Sequence, residues 1–343
     1  MKLGQAAIRI ARDDWDAFEL LWDFECLSVA RGSRNSLEQS QLSADSKCLD
    51  RISRMKHLEE ENNRFFIEAY GLQDELSAEV SDEQITLYRP DPEEDIKRLV
   101  SYAVGCTMGR YSLDTPGLID AHGGNVGFNP GEYRTFPADP DGIVPVMEAD
   151  WFADDAANRL VEFLGVAWPR EGLDENLKFV ADALGPSKGE QPRDTIRRYL
   201  ATGFTKHHLQ TYKRRPIYWL FSSGKQRAFE CLVYLHRYHD GTLARMRTEY
   251  VIPLQGKLTS RIDQLAGDIP KATSTSHRTT LTKERDKLDK QQAELQAYDE
   301  KLRHYADMRI ALDLDDGVKV NYAKFGDLLA EVKAVTGGRD EEG

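Results

Sequence analysis

A chain of 343 residues is long enough for one large or two ordinary domains with a buried core. Charged residues make up 30% and mean hydropathy is −0.58, with no apolar run near the roughly 20 residues of a membrane span, so the composition argues against a membrane protein and fits the cytoplasm. With 46 basic against 58 acidic residues the net charge is −12, which argues against indiscriminate nucleic-acid binding but leaves room for a local basic groove.

The opening MKLGQAAIRIARDDWD has no apolar segment followed by a small-residue cleavage site, hence no secretion signal. It begins mid-pattern, without a cap, so a fragment or a separately encoded half is as open a reading as a complete protein. Cys26, Cys48, Cys106 and Cys231 lie far apart, with no Cys-x-x-Cys; this argues against a zinc site or disulfide framework and suits a reducing compartment.

Trp15, Phe18, Leu21 and Trp22 recur at helical spacing and predict an amphipathic stripe facing a core. A helix from about Ser46 to Tyr70 is expected to close at Gly71, and another over Asp95–Met108, where Gly105 and Gly109 permit close packing. Thr86-Leu87-Tyr88 reads as a short strand. Residues 114–145 are rich in Gly and Pro and form a long irregular segment, a length that is uncommon and often functional. Asp154-Asp155 caps a helix over Ala156–Trp168; a further helix is expected over Leu173–Leu184, ended by Gly185-Pro186, and Thr195–Leu200 leads into the central stretch.

The most informative stretch follows. Thr195–Phe229 contains no acidic residue and eight basic ones, among them Arg197, Arg198, Lys213, Arg214, Arg215, Lys225 and Arg227; without them the chain counts 38 basic against 58 acidic. Tyr212, Tyr218, Trp219 and Phe221 are interleaved with them. Cations neutralise phosphates and planar rings cover sugars or bases, so this pattern fits a phosphate-backbone surface. The same cations could instead balance carboxylates elsewhere in an acidic chain. Pro216–Phe221, the turn Ser222–Lys225 and Ala228–Leu235 read as a hairpin with a basic lead-in and a basic tip, although the second run could equally be a short buried helix.

Val251, Leu254, Leu258, Ile262 and Leu265 make an apolar seam, and Leu281, Leu288, Leu295 and Leu302 a second one at seven-residue intervals. Two seamed helices around a polar break predict an antiparallel helical hairpin, with a parallel dimer zipper as the alternative; polar Glu284/Arg285 and Gln291/Gln292 sit where the zipper seam would continue. Phe325, Leu328, Leu329 and Val332 recur at helical spacing within 322–335. The fold class is thus mainly α with a minor β component (α+β). It divides into a helical segment 1–113, a loop-rich region 114–250 carrying the basic hairpin, and a C-terminal helical region 251–343.

No catalytic constellation emerges. An amino-methyltransferase needs an Asp/Asn-Pro-Pro-aromatic loop, and the chain has no Pro-Pro dipeptide; Asn129-Pro130-Gly131-Glu132 supplies only half, and Gly123–Gly127 does not follow an apolar strand. An Asp…Glu-x-Lys nuclease drawn through Glu331 and Lys333 would place them on a helical pattern rather than a strand. His207-His208 lacks metal-ligand spacing, and Gly224-Lys225 lacks the rest of a phosphate loop.

The runs NNRFFIEAYGLQDEL (62–76), SYAVGCTMGRYSLDTPGL (101–118), DDAANRLVEFLGVAWP (154–169), QPRDTIRRYLATGF (191–204), KRRPIYWLFSSGKQRAFECLVYLHRYHDGTLARMRTEYVIPLQ (213–255) and LDLDDGVKVNYAKFGDLLAEVKAVTGG (312–338) resemble the C-terminal portion of the PglX family. These are adenine-specific DNA methyltransferases of BREX phage-defence systems, related to fused restriction–modification methylases. In that family the S-adenosylmethionine pocket and Asn-Pro-Pro-Tyr loop lie upstream of the matched runs, so no catalytic or cofactor residue carries over. The resemblance implies a DNA-binding and specificity module, inactive alone, whose partners are double-stranded DNA, a methyltransferase catalytic region and other BREX proteins. A structural module docking partners of the defence complex is the alternative.

Overall fold

The computed structural model describes residues 2–31 and 36–337; the outermost ends of the expected first and last segments, and Gly338 of the last matched run, lie outside them. Helices run in the order α1 (Lys2–Trp15), α2 (Ser28–Arg31), α3 (Leu37–Tyr70) and α4 (Pro92–Thr107), followed by strand β1 (Ile143–Pro145). Then come α5 (Ala156–Ala167), α6 (Leu173–Ala183), α7 (Pro192–Thr202), α8 (Phe204–Thr211), β2 (Tyr218–Ser222) and β3 (Glu230–Tyr234). The chain ends with α9 (Thr242–Arg245), α10 (Ile252–Asp268), α11 (Thr275–Asp307), α12 (Gly317–Ala323) and α13 (Val332–Thr336). The fold is mainly helical with one small antiparallel sheet.

Local chemistry sets most boundaries. Ser36 accepts the N–H of Gln39 to start α3, and Gly71, at φ 68°, closes it in the left-handed conformation that glycine adopts without strain. Asp91 accepts the N–H groups of Glu93 and Glu94 ahead of Pro92 at the first turn of α4. Gly105 lets α4 approach its neighbours: a Cβ there would lie 2.6 Å from the Tyr111 ring.

The sheet has the order β1-β3-β2, with Trp219 opposite Val233 and Ile143 opposite the same residue on the far side. The run 228–235 is therefore a strand rather than a buried helix. Because side chains alternate along a strand, the sheet feeds two cores. Tyr218, Leu220, Leu232, Tyr234 and Val144 pack against α4, α5, α6 and α7. Trp219, Phe221, Cys231, Val233 and Ile143 pack against α10, α11 and the segment after it. Both faces are covered by helices, which is why these strands read as unbroken apolar runs. A third, smaller cluster of Ile10, Cys48, Ile52 and Met55 joins α1 to α3.

The helices α10 and α11 form an antiparallel hairpin: Arg261 pairs with Glu284 at 2.7 Å while Gln292 donates to Thr259 at 2.7 Å, a register that runs in opposite directions along the two. In this hairpin Leu288, Leu295 and Leu302 of the second seam are buried within the chain.

Three expectations are corrected. The stripe Trp15–Trp22 is not a core face: α1 stops at Trp15, which is 65% exposed, and Trp22 is 94% exposed. The chain there is held instead by Glu19, whose carboxylate accepts from Ser101 at 2.8 Å and Tyr212 at 3.1 Å, so Phe24 rather than Trp22 reaches the core. Thr86–Tyr88 is not a strand, because side chains take the backbone of Tyr88: its N–H donates to Asp14 and its carbonyl accepts from Cys48. Residues 322–335 are not one helix; Leu329 bridges Phe221 and Ala330 donates to the Leu220 carbonyl at 2.8 Å, capping the free edge of β2.

Candidate nucleic-acid interface

The basic stretch is split between the two ends of the sheet. Lys213, Arg214 and Arg215 form the turn from α8 into β2, at the end where Tyr218 faces Tyr234. Lys225 and Arg227 lie at the opposite end, beyond Ser222 and Glu230. Five strand residues separate the two by about 17 Å, at about 3.3 Å per residue.

At the first end, Lys213, Arg214 and Arg215 are all exposed, and none has an ion-pair partner among the described residues. The backbone turns sharply: the Arg214 N–H returns to the Leu209 carbonyl at 2.7 Å and the Arg215 N–H to Tyr212 at 2.9 Å. Lys213 and Arg214 sit at φ 49° and 61°, the left-handed region that costs a side-chain-bearing residue about 1–2 kcal/mol relative to the right-handed helix. The turn is pinned from beneath. His208 of α8, fully buried, accepts the backbone N–H of Ile217 at 3.0 Å and of Tyr218 at 3.2 Å through Nε2. That acceptor role places the ring proton on Nδ1, and burial pushes the imidazole pKa down to about 3, so the ring is neutral. The adjacent His207 meets Glu94 at 3.0 Å. No group of metal-ligating residues occurs among the described residues.

The irregular segment 114–142 reaches the same end of the sheet. Tyr234 donates to the Asp120 carbonyl at 2.8 Å, and Arg110 donates to the Tyr234 hydroxyl at 3.3 Å. Arg237, 1% exposed, organises the loop from inside. It donates to Asn125 Oδ1 at 3.0 Å and to the carbonyls of Asp139 at 2.5 Å and Pro140 at 2.8 Å, with its guanidinium 3.7 Å from the Phe128 ring centre. Asp139, itself buried, accepts the N–H groups of Asp141 and Gly142; burial and the neighbouring Asp141 push its carboxyl pKa up. A long loop fastened this way is a built surface, and it leaves His122 and Val126 exposed.

At the second end most charges are already met. Arg197 is held against Asp155, the cap of α5, with Asp150 at 3.4 Å. Burial raises the Asp155 pKa and the guanidinium opposes that rise. Arg198 donates to Glu190 at 2.9 Å, which holds the Glu190 carboxyl down to about 2. Arg227 donates to Glu230 at 2.8 Å and lies 3.6 Å from Glu148. Only Lys225 of the tip group is exposed without an ion pair among the described residues. The tip is latched by Glu294 of α11, which accepts from Ser223 Oγ at 2.7 Å, Gln226 N at 2.7 Å and Ala228 N at 3.2 Å.

Of the seven cations that the sequence singles out, Lys213, Arg214, Arg215 and Lys225 face solvent, while Arg197, Arg198 and Arg227 are engaged with carboxylates. His208, Arg237 and Glu294 are the positioning residues that sequence reading misses. Arg237 and Glu294 act on backbone distant in sequence, His208 on the two residues that enter β2, and none carries a local motif.

No family model matches the chain. It is 47% identical to the adenine-specific methyltransferase BrxX of Escherichia coli O9:H4 (strain HS), over 99% of this chain and 30% of that protein. It is 41% identical to the adenine-specific methyltransferase PglX of Lacticaseibacillus casei (strain Zhang), over 94% of this chain and 27% of that protein. The chain thus spans under a third of the length of these relatives. Methyltransferases of this kind use S-adenosylmethionine, but the residues described here do not fit that cofactor: Gly123–Asn125 is a 3-10 turn entered from irregular backbone, not the end of a parallel strand.

Proposed function

We propose that this chain, homologous over nearly its whole length to part of the BrxX and PglX adenine-specific methyltransferases, is a portion of such an enzyme that grips duplex DNA. The observation that carries the reading is the turn Lys213–Arg215: three solvent-facing, unpaired cations on a rigid, strained backbone, in a molecule of net charge −12. These three and Lys225 contact phosphates; the paired Arg197, Arg198 and Arg227 shape the surface behind them. The loop 114–142, held from inside by Arg237, is the candidate for meeting base edges. Residues 1–113 support this central region, and methyl transfer from S-adenosylmethionine to adenine, in BREX host-DNA modification, belongs to parts of the relatives that this chain does not cover.

Titrating a fluorescent 30-base-pair duplex with the chain, between 50 and 200 mM NaCl, tests this. Affinity that falls steeply with salt is expected. Absence of binding at the lowest salt, with the chain folded, would refute the reading.

A second reading rests on α10 and α11, whose connecting stretch 273–280 is exposed throughout. There the hairpin docks another protein of the defence complex. Replacing 268–282 by a short glycine linker separates the two: loss of partner binding with DNA affinity intact favours docking.

A further inference from the structure

We infer that a second phosphate-binding track runs between α1 and α3, lined by Arg9, Arg12, Arg51 and Arg54, and takes the backbone of the same duplex that meets the Lys213–Arg215 turn. The two helices pack antiparallel: Arg51 Nη1 donates to the Asp13 carbonyl at 3.1 Å, while Ile10 meets Ile52 and Met55, and Ala7 and Leu58 lie further along. Each helix presents two arginines three residues apart, a step of about 4.5 Å along an α-helix. The four border one open groove of about 870 Å³, shared with Asp13 as its one carboxylate. That volume is too large and open for a single bound anion. Charges set out in a row rather than converging on a point suit a chain of phosphates.

Three of the four guanidinium groups are available. Arg9, Arg12 and Arg54 are exposed and make no ion pair among the described residues. Arg51 lies deeper, half-buried with its Nη1 held by the Asp13 carbonyl, and lines the groove from below. The groove also has a direction. The segment leaving α1 carries Glu19, whose carboxylate accepts from Tyr212 at 3.1 Å, and Tyr212 immediately precedes Lys213. The α1 end of the track is thereby tied to the basic turn.

This inference rests on the reading that the chain grips duplex DNA, and one experiment tells the two apart. Duplex binding by the full chain is measured against NaCl for Arg9→Ala/Arg12→Ala/Arg54→Ala, for the corresponding lysine variant, and for Lys213→Gln/Arg214→Gln/Arg215→Gln. No side-chain hydrogen bond from Arg9, Arg12 or Arg54 supports the fold among the described residues. The alanine variant is expected to bind about tenfold more weakly at 50 mM NaCl or worse, with a salt slope shallower by about 2.7, and the lysine variant to recover most of both. An unchanged slope and affinity in the alanine variant, while the 213–215 variant is weakened, overturns the second track and leaves the first intact. Weakened heparin binding with undiminished duplex binding overturns it too, because the groove would then be a nonspecific anion patch away from the DNA.

Discussion

The buried ring of His208 accepts the backbone N–H of Ile217 at 3.0 Å, and this bond fixes how the chain leaves the basic turn and enters β2. The same nitrogen takes the N–H of Tyr218 at 3.2 Å. The turn between them is therefore a held surface, and its cations sit where the sheet and α8 place them rather than on a wandering loop.

His208→Ala removes that acceptor and leaves two N–H groups and a cavity behind. A loss of roughly 2–5 kcal/mol is expected in urea unfolding at pH 7.5. The folded state holds this imidazole down to about 3, against about 6.5 in an unfolded chain. The unfolded state thus binds the extra proton, so the histidine's contribution is complete above about pH 6.5 and is lost as pH falls towards 3. His236, lowered to about 4 by burial, adds a term of the same sign. The wild-type chain should therefore lose stability between pH 6.5 and 4.5 more steeply than His208→Ala does. Equal slopes would contradict the assignment.

Arg197 and Asp155 are predicted to act through folding. Arg197→Met strands a carboxylate that is 1% exposed, which costs about 3–5 kcal/mol when one partner of a buried pair is removed. Adding Asp155→Asn should restore most of it, since an amide oxygen can still cap α5 by accepting from Asn158. Thermal denaturation of the single and double variants checks this; a double variant no more stable than Arg197→Met alone would contradict it.

Glu294 should govern the hairpin tip. Gly224 lies against it at φ 128°, with space for a Cβ only 3.1 Å from the carboxylate. Glu294→Ala frees Ser223, Gln226 and Ala228 together, so amide hydrogen exchange across 223–229 should accelerate while β3 beyond Cys231 stays protected. Exchange at the tip that matches wild type would show the latch to be dispensable.

Much of this fold is legible in the sequence because local chemistry decides it. Gly71 and Asp155 announce helix boundaries, and the apolar run 218–221 announces a strand covered on both faces. The antiparallel pairing of α10 and α11 follows from two leucine seams and a polar break. What escapes has tertiary causes. Trp22 looks like a core residue until Glu19 is seen to take the inward position. Ile143–Pro145 is too short to signal a strand and exists because β3 offers it an edge. The basic island reads as one positive surface, yet Arg197 meets Asp155 from 42 positions away and Arg227 meets Glu148 from 79. Ion pairs at such separations leave no periodic trace, while Arg198 and Arg227 also draw on Glu190 and Glu230, which lie just outside the acid-free window. The exposed turn, Lys225 and Lys206 keep the character that the sequence suggests.

The central claim is that the cations of the 213–215 turn serve DNA rather than the fold, and the left-handed backbone of Lys213 and Arg214 supplies a direct test. Glycine suits that conformation better than any side-chain-bearing residue. Lys213→Gly/Arg214→Gly should therefore unfold at the same temperature as wild type or higher, while binding the duplex more weakly and with a salt slope shallower by about 1.8. A variant that is as stable as wild type and keeps its full affinity and salt slope would contradict the account.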